Sequence, residues 1–313
     1  MNQSTNMKKI LCITPLKHLK EPYEYLKSFG EITYKPKISK DDLLNMDMSE
    51  YNIIFCCPNG QPYILNKDTL NEFGGTILTA STGLNHIDLD YCMNNNIEVL
   101  SHTKDHNQLL NHLPSTAELA FGLMLSIMRN IPRGFDDVKK GGWDYEKFIG
   151  HQLKGKTIGI IGYGRLGRMM KTYCHAFGMD VMIYDPYEGY DYLDLLIKHS
   201  DIISLHVHVT DETRYMIDKK FLDSIRKGSY IINTSRGEIV NEADVIQSLR
   251  DGHLKGYATD VFEDEFGDRS SSPILKGVEE GLNIIVTPHV GGSTWEGQQK
   301  AYMWSIKKLE KLK

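Results

Sequence analysis

Residues 157–167 read TIGIIGYGRLG, and this stretch decides the fold of the second part of the chain. Its three glycines, Gly162, Gly164 and Gly167, have the spacing G-x-G-x-x-G. The spacing alone is weak evidence, because glycine is common in turns. Here it follows an apolar run and precedes a helix-like segment, and the next apolar run, DVMIY, ends at Asp185. This strand, turn, helix and strand are the context in which the motif binds a dinucleotide.

Each part of the motif has a physical role in that binding. Gly162 permits a tight turn, Gly164 lets the backbone approach the pyrophosphate, and Gly167 lets the helix pack close to the strand. Asp185 would accept hydrogen bonds from the adenosine ribose, and no Lys or Arg follows it before Lys198, so NAD is favoured over NADP. The predicted cofactor contacts of the turn are Gly162, Tyr163, Gly164, Arg165, Leu166 and Gly167.

Apolar runs and helix-like segments alternate along most of the chain. Six runs after residue 157 read TIGIIG, DVMIYD, DIISLHV, SYIINT, GYATDV and NIIVTPH, and four in the first hundred residues read ILCIT, YNIIFCC, TILTA and IEVLS. This alternation predicts an α/β protein with two Rossmann-like, doubly wound parallel-sheet domains and a cleft between them. We expect a substrate domain at 1–103 plus 290–313 and an NAD-binding domain at 104–289.

One segment near the start of the predicted NAD-binding domain is apolar on every side. It follows Pro114, extends to about Ile131, and opens with a candidate capping box, Ser-Thr-Ala-Glu, at 115–118. Such a helix has to be enclosed, and the sequence favours a place between domains or subunits.

Composition excludes several classes of protein. The 313 residues carry a formal charge of -5, which gives no general attraction to nucleic acid. The most apolar window, at 117–128, is too short to span a bilayer, and the first residues do not resemble a secretion signal. The five cysteines form no C-x-x-C pair, so free thiols and a cytoplasmic location are expected.

Groups suited to hydride transfer follow the last three apolar runs. Arg236 follows SYIINT, an acidic cluster follows GYATDV, and His289 follows NIIVTP. Carboxyl ends of parallel strands border the ligand crevice. There an Arg can grip a substrate carboxylate, and a His backed by a carboxylate can pass a proton. The residues alone leave open which acidic side chain supports the histidine, and the candidates are Asp260, Glu263, Asp264 and Glu265.

Several motifs together resemble the D-isomer-specific 2-hydroxyacid dehydrogenases, which include phosphoglycerate and hydroxypyruvate dehydrogenases. They read STGLNHIDLDYC, GKTIGIIGYGRLG, TDETRYMI, INTSRGEIV, DVFEDE and TPHVGGST. The resemblance implies a catalytic triad of Arg236, Glu265 and His289. It also implies that Asp260 contacts the nicotinamide end, that His206 and Thr234 line the cofactor site, and that backbone N–H groups around Thr82 and Gly83 hold the substrate carboxylate.

The chain departs from the family pattern at several positions. His208 and Phe266 each stand at a position where the family usually has a proline. Phosphoglycerate-type members have an arginine for the substrate phosphate in the segment that here reads Cys57, Pro58, Asn59 and Gly60. The substrate is therefore expected to be a small 2-hydroxy or 2-oxo acid, with phosphoglycerate kept open. His206 and His208 lack further ligands nearby in the sequence, so no metal site is expected.

Two further expectations concern partners. The segment GGWDYEKF at 141–148 resembles a dimer arm, so a homodimer is predicted; a locally packed Trp143 is the alternative. The alternative to an enzyme is an NAD-sensing protein similar to transcriptional corepressors of the family, with little turnover.

Overall fold

The structure is a computed structural model that describes residues 7–58, 63–102, 113–265 and 267–312. The chain divides into two compact units. The N-terminal unit contains Met1–Leu113 and Ser293–Lys313, and the central unit contains Pro114–Gly292. The predicted boundary at 103/104 falls on residues outside the described ranges. The second boundary is predicted at 289/290, and the central unit ends at Gly292. Each unit is built on a parallel sheet, so the predicted fold class of two α/β domains is confirmed.

The N-terminal unit has five parallel strands in the order β2-β1-β3-β4-β5. Its strands are β1 (Lys8–Cys12), β2 (Gly30–Tyr34), β3 (Ile53–Cys56), β4 (Thr76–Thr79) and β5 (Glu98–Leu100), and its helices are α1 (Lys20–Lys27), α2 (Lys40–Leu44), α3 (Leu89–Asn94) and α11 (Trp295–Lys307). Successive strand residues pack into clusters on opposite faces: Leu11 and Ile54 lie on one face, Ile10 and Phe55 on the other. Both faces are covered, as a parallel sheet requires.

The central unit has six parallel strands in the order β11-β10-β9-β8-β6-β7. They are β6 (Thr157–Ile161), β7 (Asp180–Tyr184), β8 (Ile202–Leu205), β9 (Tyr230–Asn233), β10 (Gly256–Thr259) and β11 (Ile284–Val286), and they correspond to the six predicted runs. The helices are α4 (Ser115–Met128), α5 (Ile131–Lys139), α6 (Arg165–Ala176), α7 (Leu193–His199), α8 (Lys219–Ser224), α9 (Glu242–Arg250) and α10 (Pro273–Glu279).

Strand order reverses at one point in each sheet, between β1 and β3 and between β6 and β8. At such a switch point the connections leave towards opposite faces, and ligands bind beyond the carboxyl ends of the strands. In the N-terminal unit, two buried hydroxyls beyond β1 contact each other, Thr14 Oγ1 and Tyr302 Oη at 3.1 Å. In the central unit, the glycine-rich turn follows β6 and His206 follows β8.

The apolar helix α4 packs on its own unit. It contacts α6, β9 and β10, and eight of its residues are buried. The predicted capping box is wrong: the helix already includes Ser115, its N-cap is Pro114, and no side chain caps it. The Ser115 hydroxyl lies one residue too late to act as the cap.

The five cysteines are free, as predicted, and four of them are buried: Cys12, Cys56, Cys92 and Cys174. Burial raises the pKa of the Cys12 and Cys174 thiols to about 12, so these side chains act as small apolar groups. Within the described ranges, no helix is both long and apolar enough to cross a membrane.

Candidate active site

The glycine-rich turn joins β6 to α6. Gly162 has a φ of 94°, in the left-handed region, and a Cβ there would lie 2.4 Å from the His206 carbonyl oxygen. A Cβ on Gly167 would lie 2.1 Å from the Gly162 carbonyl oxygen. By contrast, a Cβ on Gly164 would have no described heavy atom within 4 Å, and α6 begins at the next residue. The turn therefore closes tightly on itself and leaves an open surface at the start of the helix.

Two side chains of this turn lie where it becomes the helix. Arg165 is partly buried, and burial lowers the pKa of its guanidinium. Leu166 packs against the core beneath the turn.

Asp185 follows β7 and is tied to the turn. Its Oδ2 accepts a hydrogen bond from the Tyr163 N–H at 2.8 Å, and its Oδ1 accepts one from the Tyr187 N–H at 3.2 Å. The carboxylate predicted to bind ribose thus stands beside the turn predicted to bind pyrophosphate.

His206 and Thr234 each bury a polar atom that has no hydrogen-bond partner among the described residues, His206 Nδ1 and Thr234 Oγ1. The other ring nitrogen of His206 lies 2.8 Å from Ser204 Oγ. Burial lowers the pKa of His206 to about 4, so the ring is neutral at physiological pH. Unpaired buried polar atoms are rare in folded proteins. At these two positions they fit a site that is completed by a bound dinucleotide.

Glu265 and His289 lie at ion-pair distance in the central unit. Both carboxylate oxygens of Glu265 lie 2.9 Å from His289 Nδ1. The side chains are largely buried, with 12% and 22% of their surfaces exposed. Glu263, an alternative left open by the residues alone, instead accepts a hydrogen bond from the Tyr215 hydroxyl. The contact with Glu265 makes Nδ1 the proton-bearing nitrogen and Nε2 the one that can exchange a proton.

Asp260 holds the loop that carries His289. Its carboxylate accepts hydrogen bonds from the Thr287 hydroxyl at 2.5 Å, from the Val290 N–H at 2.8 Å and from the Gly291 N–H at 2.7 Å. Burial raises the pKa of Asp260, and these hydrogen bonds oppose the shift. His289 itself has a φ of 51°, a left-handed conformation that is uncommon for a residue with a side chain. Asp260 therefore positions the loop of the histidine through Thr287, Val290 and Gly291, whereas the sequence left it open as a direct partner of the imidazole.

Arg236 follows β9 and is held by a compact turn. Its Nη1 donates to the Ser235 carbonyl at 2.6 Å, and its own carbonyl accepts from the buried Asn233 amide at 2.9 Å. Asn233 also accepts from the Ser235 N–H at 3.0 Å. Sequence reasoning missed Asn233, although an Asn just before a turn is typical of such side-chain-to-backbone bonds.

The Arg236 turn packs against the segment that leads to Glu265. A Cβ on Gly237 would lie 2.1 Å from the Phe262 carbonyl carbon, so only glycine fits there. The buried Glu242 accepts a hydrogen bond from the Glu263 N–H at 2.7 Å, and burial raises the pKa of its carboxyl. These contacts fix the acidic segment relative to the arginine turn.

The predicted substrate-binding residues Thr82 and Gly83 follow β4 in the N-terminal unit. Ser81 Oγ donates to the Gly83 carbonyl at 2.8 Å, which shapes this loop. Among the departures from the family pattern, the His208 carbonyl accepts from the Thr213 hydroxyl at 2.6 Å. Asn59, Gly60 and Phe266 lie outside the described residues. The part of the chain that is described contains no cluster of three or more potential metal ligands.

The sequence between Phe121 and Gly291 matches the model of the D-isomer-specific 2-hydroxyacid dehydrogenase NAD-binding domain. The chain belongs to this family. Its cofactor is NAD, for which the glycine turn, Asp185 and the unpaired atoms of His206 and Thr234 form a fitting site.

Individual dehydrogenases and reductases resemble the chain over much of its length. D-3-phosphoglycerate dehydrogenase of Methanocaldococcus jannaschii is 31% identical over 98% of the chain, and hydroxypyruvate reductase of Thermotoga maritima is 35% identical over 75%. D-lactate dehydrogenase of Aquifex aeolicus, solved with NAD and lactic acid, superposes with a TM-score of 0.78 at 27% identity, covering 97% of this chain and 95% of that one. The chain spans 57% of the M. jannaschii protein and 76% of the T. maritima protein.

Proposed function

We propose that this protein is an NAD-dependent oxidoreductase that interconverts a small D-2-hydroxy acid and its 2-oxo acid. The observation that carries the proposal is the Glu265–His289 contact within an NAD-binding unit. The carboxylate on Nδ1 fixes the tautomer and orientation of the imidazole, so that Nε2 can give a proton to the substrate oxygen or take one from it.

The other residues are assigned to substrate binding and to orientation. Arg236 grips the substrate carboxylate with its bidentate fork and polarises the carbonyl. We also assign binding of a substrate carboxylate to backbone N–H groups around Thr82 and Gly83. Asp260 keeps His289 in its strained conformation, and we assign to it the contact with the nicotinamide end as well.

Bound NAD would supply the redox chemistry, as the hydride acceptor for the hydroxy acid and, in its reduced form, as the hydride donor for the 2-oxo acid. The residues assigned to hold it are those of the glycine turn (Gly162, Tyr163, Gly164, Arg165, Leu166 and Gly167) together with Asp185, His206, Thr234 and Asp260. Neutral His206 and Thr234 present polar atoms without adding charge beside the cofactor.

The substrate proposed here is small and carries one carboxylate. The residues after β3, from Cys57 to Gly60, contain no Lys or Arg to meet a substrate phosphate. The resemblance to a D-3-phosphoglycerate dehydrogenase keeps a phosphorylated acid as a second candidate. An NAD-sensing role without turnover has less support, because the named relatives above are dehydrogenases and a reductase.

We also propose a homodimer. Exposed apolar side chains on and shortly after α5, together called the α5 surface, are those of Ile131, Phe135, Val138, Trp143, Tyr145 and Ile149. Trp143 is 89% exposed, so the alternative of a locally packed tryptophan is wrong. An apolar area of this kind on one chain is typical of an interface, and a second copy would bury it. Light scattering should give twice the mass of the chain, and Trp143→Ala should shift the equilibrium towards monomer.

A cytoplasmic location is proposed as well. Its support is the set of five free cysteines, since extracellular proteins of oxidising compartments commonly pair their thiols.

The function is tested by NADH oxidation with glyoxylate, pyruvate, hydroxypyruvate and 3-phosphohydroxypyruvate. Turnover of an unphosphorylated acid supports the proposal as stated. Turnover of 3-phosphohydroxypyruvate alone would show that the substrate is a phosphorylated acid, the second candidate. Intact NADH binding without turnover of any 2-oxo acid would contradict the dehydrogenase and favour the sensing role.

A further inference from the structure

A cation lies beside the predicted ribose site, although no Lys or Arg is near Asp185 in sequence. Arg168 belongs to the first turn of α6, and its Nη2 donates to Glu188 Oε2 at 2.6 Å. Its guanidinium carbon also lies 4.4 Å from the centre of the Tyr163 ring. The side chain is thus held from two sides, by a carboxylate and by an aromatic face.

Both partners of Arg168 are joined to Asp185. The Tyr163 N–H donates to one oxygen of the Asp185 carboxylate at 2.8 Å. Glu188 ends the short 3-10 turn Pro186–Glu188, whose N-cap is Asp185. Arg168 is therefore linked, through Tyr163 and Glu188, to the carboxylate that would meet the 2′ position of the adenosine ribose.

The neighbouring charges are mostly negative. Glu212 accepts a hydrogen bond from the Tyr187 hydroxyl at 2.8 Å, which brings a further carboxylate to the loop after β7. The pKa of Tyr184 is raised by burial and then by Asp191, Glu212 and Asp185. A further cation, Lys171, has its Nζ 5.5 Å from the centre of the Tyr163 ring.

This arrangement bears on the choice between NAD and NADP. The two cofactors differ by a 2′-phosphate, and proteins with this fold that bind NADP place an arginine near it. Here an arginine is available, but its charge is already paired with Glu188. A 2′-phosphate would meet Asp185 and Glu188 and would have to displace the latter from Arg168.

We propose that Glu188 is a specificity-determining residue for the cofactor: by pairing with Arg168 it withholds this guanidinium at the ribose end from a 2′-phosphate. Asp185 and Glu188 then act together, the first by direct repulsion and the second by occupying the cation. This inference rests on the NAD site and concerns binding alone, so it is independent of the proposed hydride transfer.

The experiment compares the Kd of NADPH and of NADH for wild type, Glu188→Gln, Arg168→Gln and the double variant Glu188→Gln/Arg168→Gln, by calorimetry at low salt. Glu188→Gln should bind NADPH about tenfold more tightly, because the Arg168 charge, no longer paired, would attract a doubly charged phosphate about 6 Å away in a water-like dielectric. NADH binding should stay unchanged, because the ion pair is half exposed and adds little to stability. The double variant should lose the gain.

A matched control is the Arg250–Glu280 pair, which has a similar distance of 2.5 Å and similar exposure. Glu280→Gln should leave both constants unchanged. The proposal is overturned if Glu188→Gln leaves NADPH binding as in wild type. It is also overturned if the gain persists in the double variant, since removal of negative charge would then suffice without Arg168. Loss of turnover with NADH, by contrast, would affect the proposed function and not these binding constants.

Discussion

The two sheets share a strand order up to their fifth strand, yet their switch points differ in chemistry. Beyond β1 in the N-terminal unit, Thr14 and Tyr302 bury their hydroxyls against each other. Beyond β6 and β9 in the central unit, a glycine turn leaves an open helix start and Thr234 buries a hydroxyl without a described partner. The comparison teaches that topology supplies a crevice, whereas the side chains that follow the strands decide whether it is closed by the protein or completed by a ligand.

The sharpest test of this contrast removes His289, the residue proposed to transfer the proton in the central unit. His289→Asn should lower turnover by about 10²–10⁴-fold, the usual contribution of a general acid or base, while NADH still binds. Steady-state kinetics and NADH fluorescence check this. His175→Asn, at an exposed position of α6, serves as the control and should change neither. Turnover near the wild-type rate in the His289 variant would show that another group transfers the proton.

The glycine turn can be broken by a single methyl group. Gly167→Ala would place a Cβ 2.1 Å from the Gly162 carbonyl oxygen, so the turn has to open. We expect NADH affinity to fall by about tenfold or more, since overpacking of this kind costs about 1–3 kcal/mol. Titration of NADH fluorescence measures the change.

Gly122→Ala in α4 is the matched control, because a Cβ there has no described heavy atom within 4 Å. It should retain NADH affinity and stabilise the helix by up to about 1 kcal/mol. Equal affinity in the two variants would mean that the tight turn is not required for the cofactor.

Asp260 makes the free energy of unfolding depend on pH. Burial raises its pKa above the ordinary value of 3.8, so the folded protein holds this proton to a higher pH than the unfolded chain does. The Asp260 contribution to the free energy of unfolding is therefore largest at low pH and declines as the pH rises from about 4 through the raised pKa.

Asp260→Asn should remove this decline and should also cost about 1–3 kcal/mol, because an amide cannot accept all three hydrogen bonds of the carboxylate. Urea unfolding between pH 4 and 7 tests both expectations, with the exposed Asp211→Asn as the control. An unchanged pH slope in the Asp260 variant would show that the group titrates alike in both states.

The smallest expected effect belongs to the N-terminal switch point. Tyr302→Phe leaves the buried Thr14 hydroxyl without this partner and should lower the free energy of unfolding by about 1–2 kcal/mol. NADH affinity should stay as in wild type, whereas Tyr192→Phe, at an exposed site, should change neither quantity. A loss of NADH affinity in Tyr302→Phe would show that the N-terminal switch point also contributes to NADH binding.

Much of this architecture could be predicted from the sequence. Contiguous residues predict these elements: apolar runs predict the six strands of the central unit, and glycines at fixed spacing predict the Gly162 turn. Arg236 and His289 could be singled out because each follows an apolar run, whereas the choice of Glu265 needed the family resemblance, because acidic residues at 263, 264 and 265 are equivalent as a local pattern.

What escaped prediction depends on contacts between distant residues. Arg168 and Glu188 are twenty positions apart, and only the packing of α6 beside the end of β7 brings them together. Asp260 reaches the His289 loop across thirty positions. The capping box at 115–118 failed for a different reason: the pattern fits several registers, and the helix begins one residue earlier than the cap requires.

The position of β11 has a consequence for heating and hydrogen exchange. This strand has three residues, lies at the edge of the sheet and pairs with β10 alone, and His289 follows it. Edge elements open locally at lower free-energy cost than the core does. The amide of His289 should therefore exchange with deuterium before those of β6 and β8. On heating, the proposed activity should be lost while the far-UV circular dichroism of the protein is still unchanged.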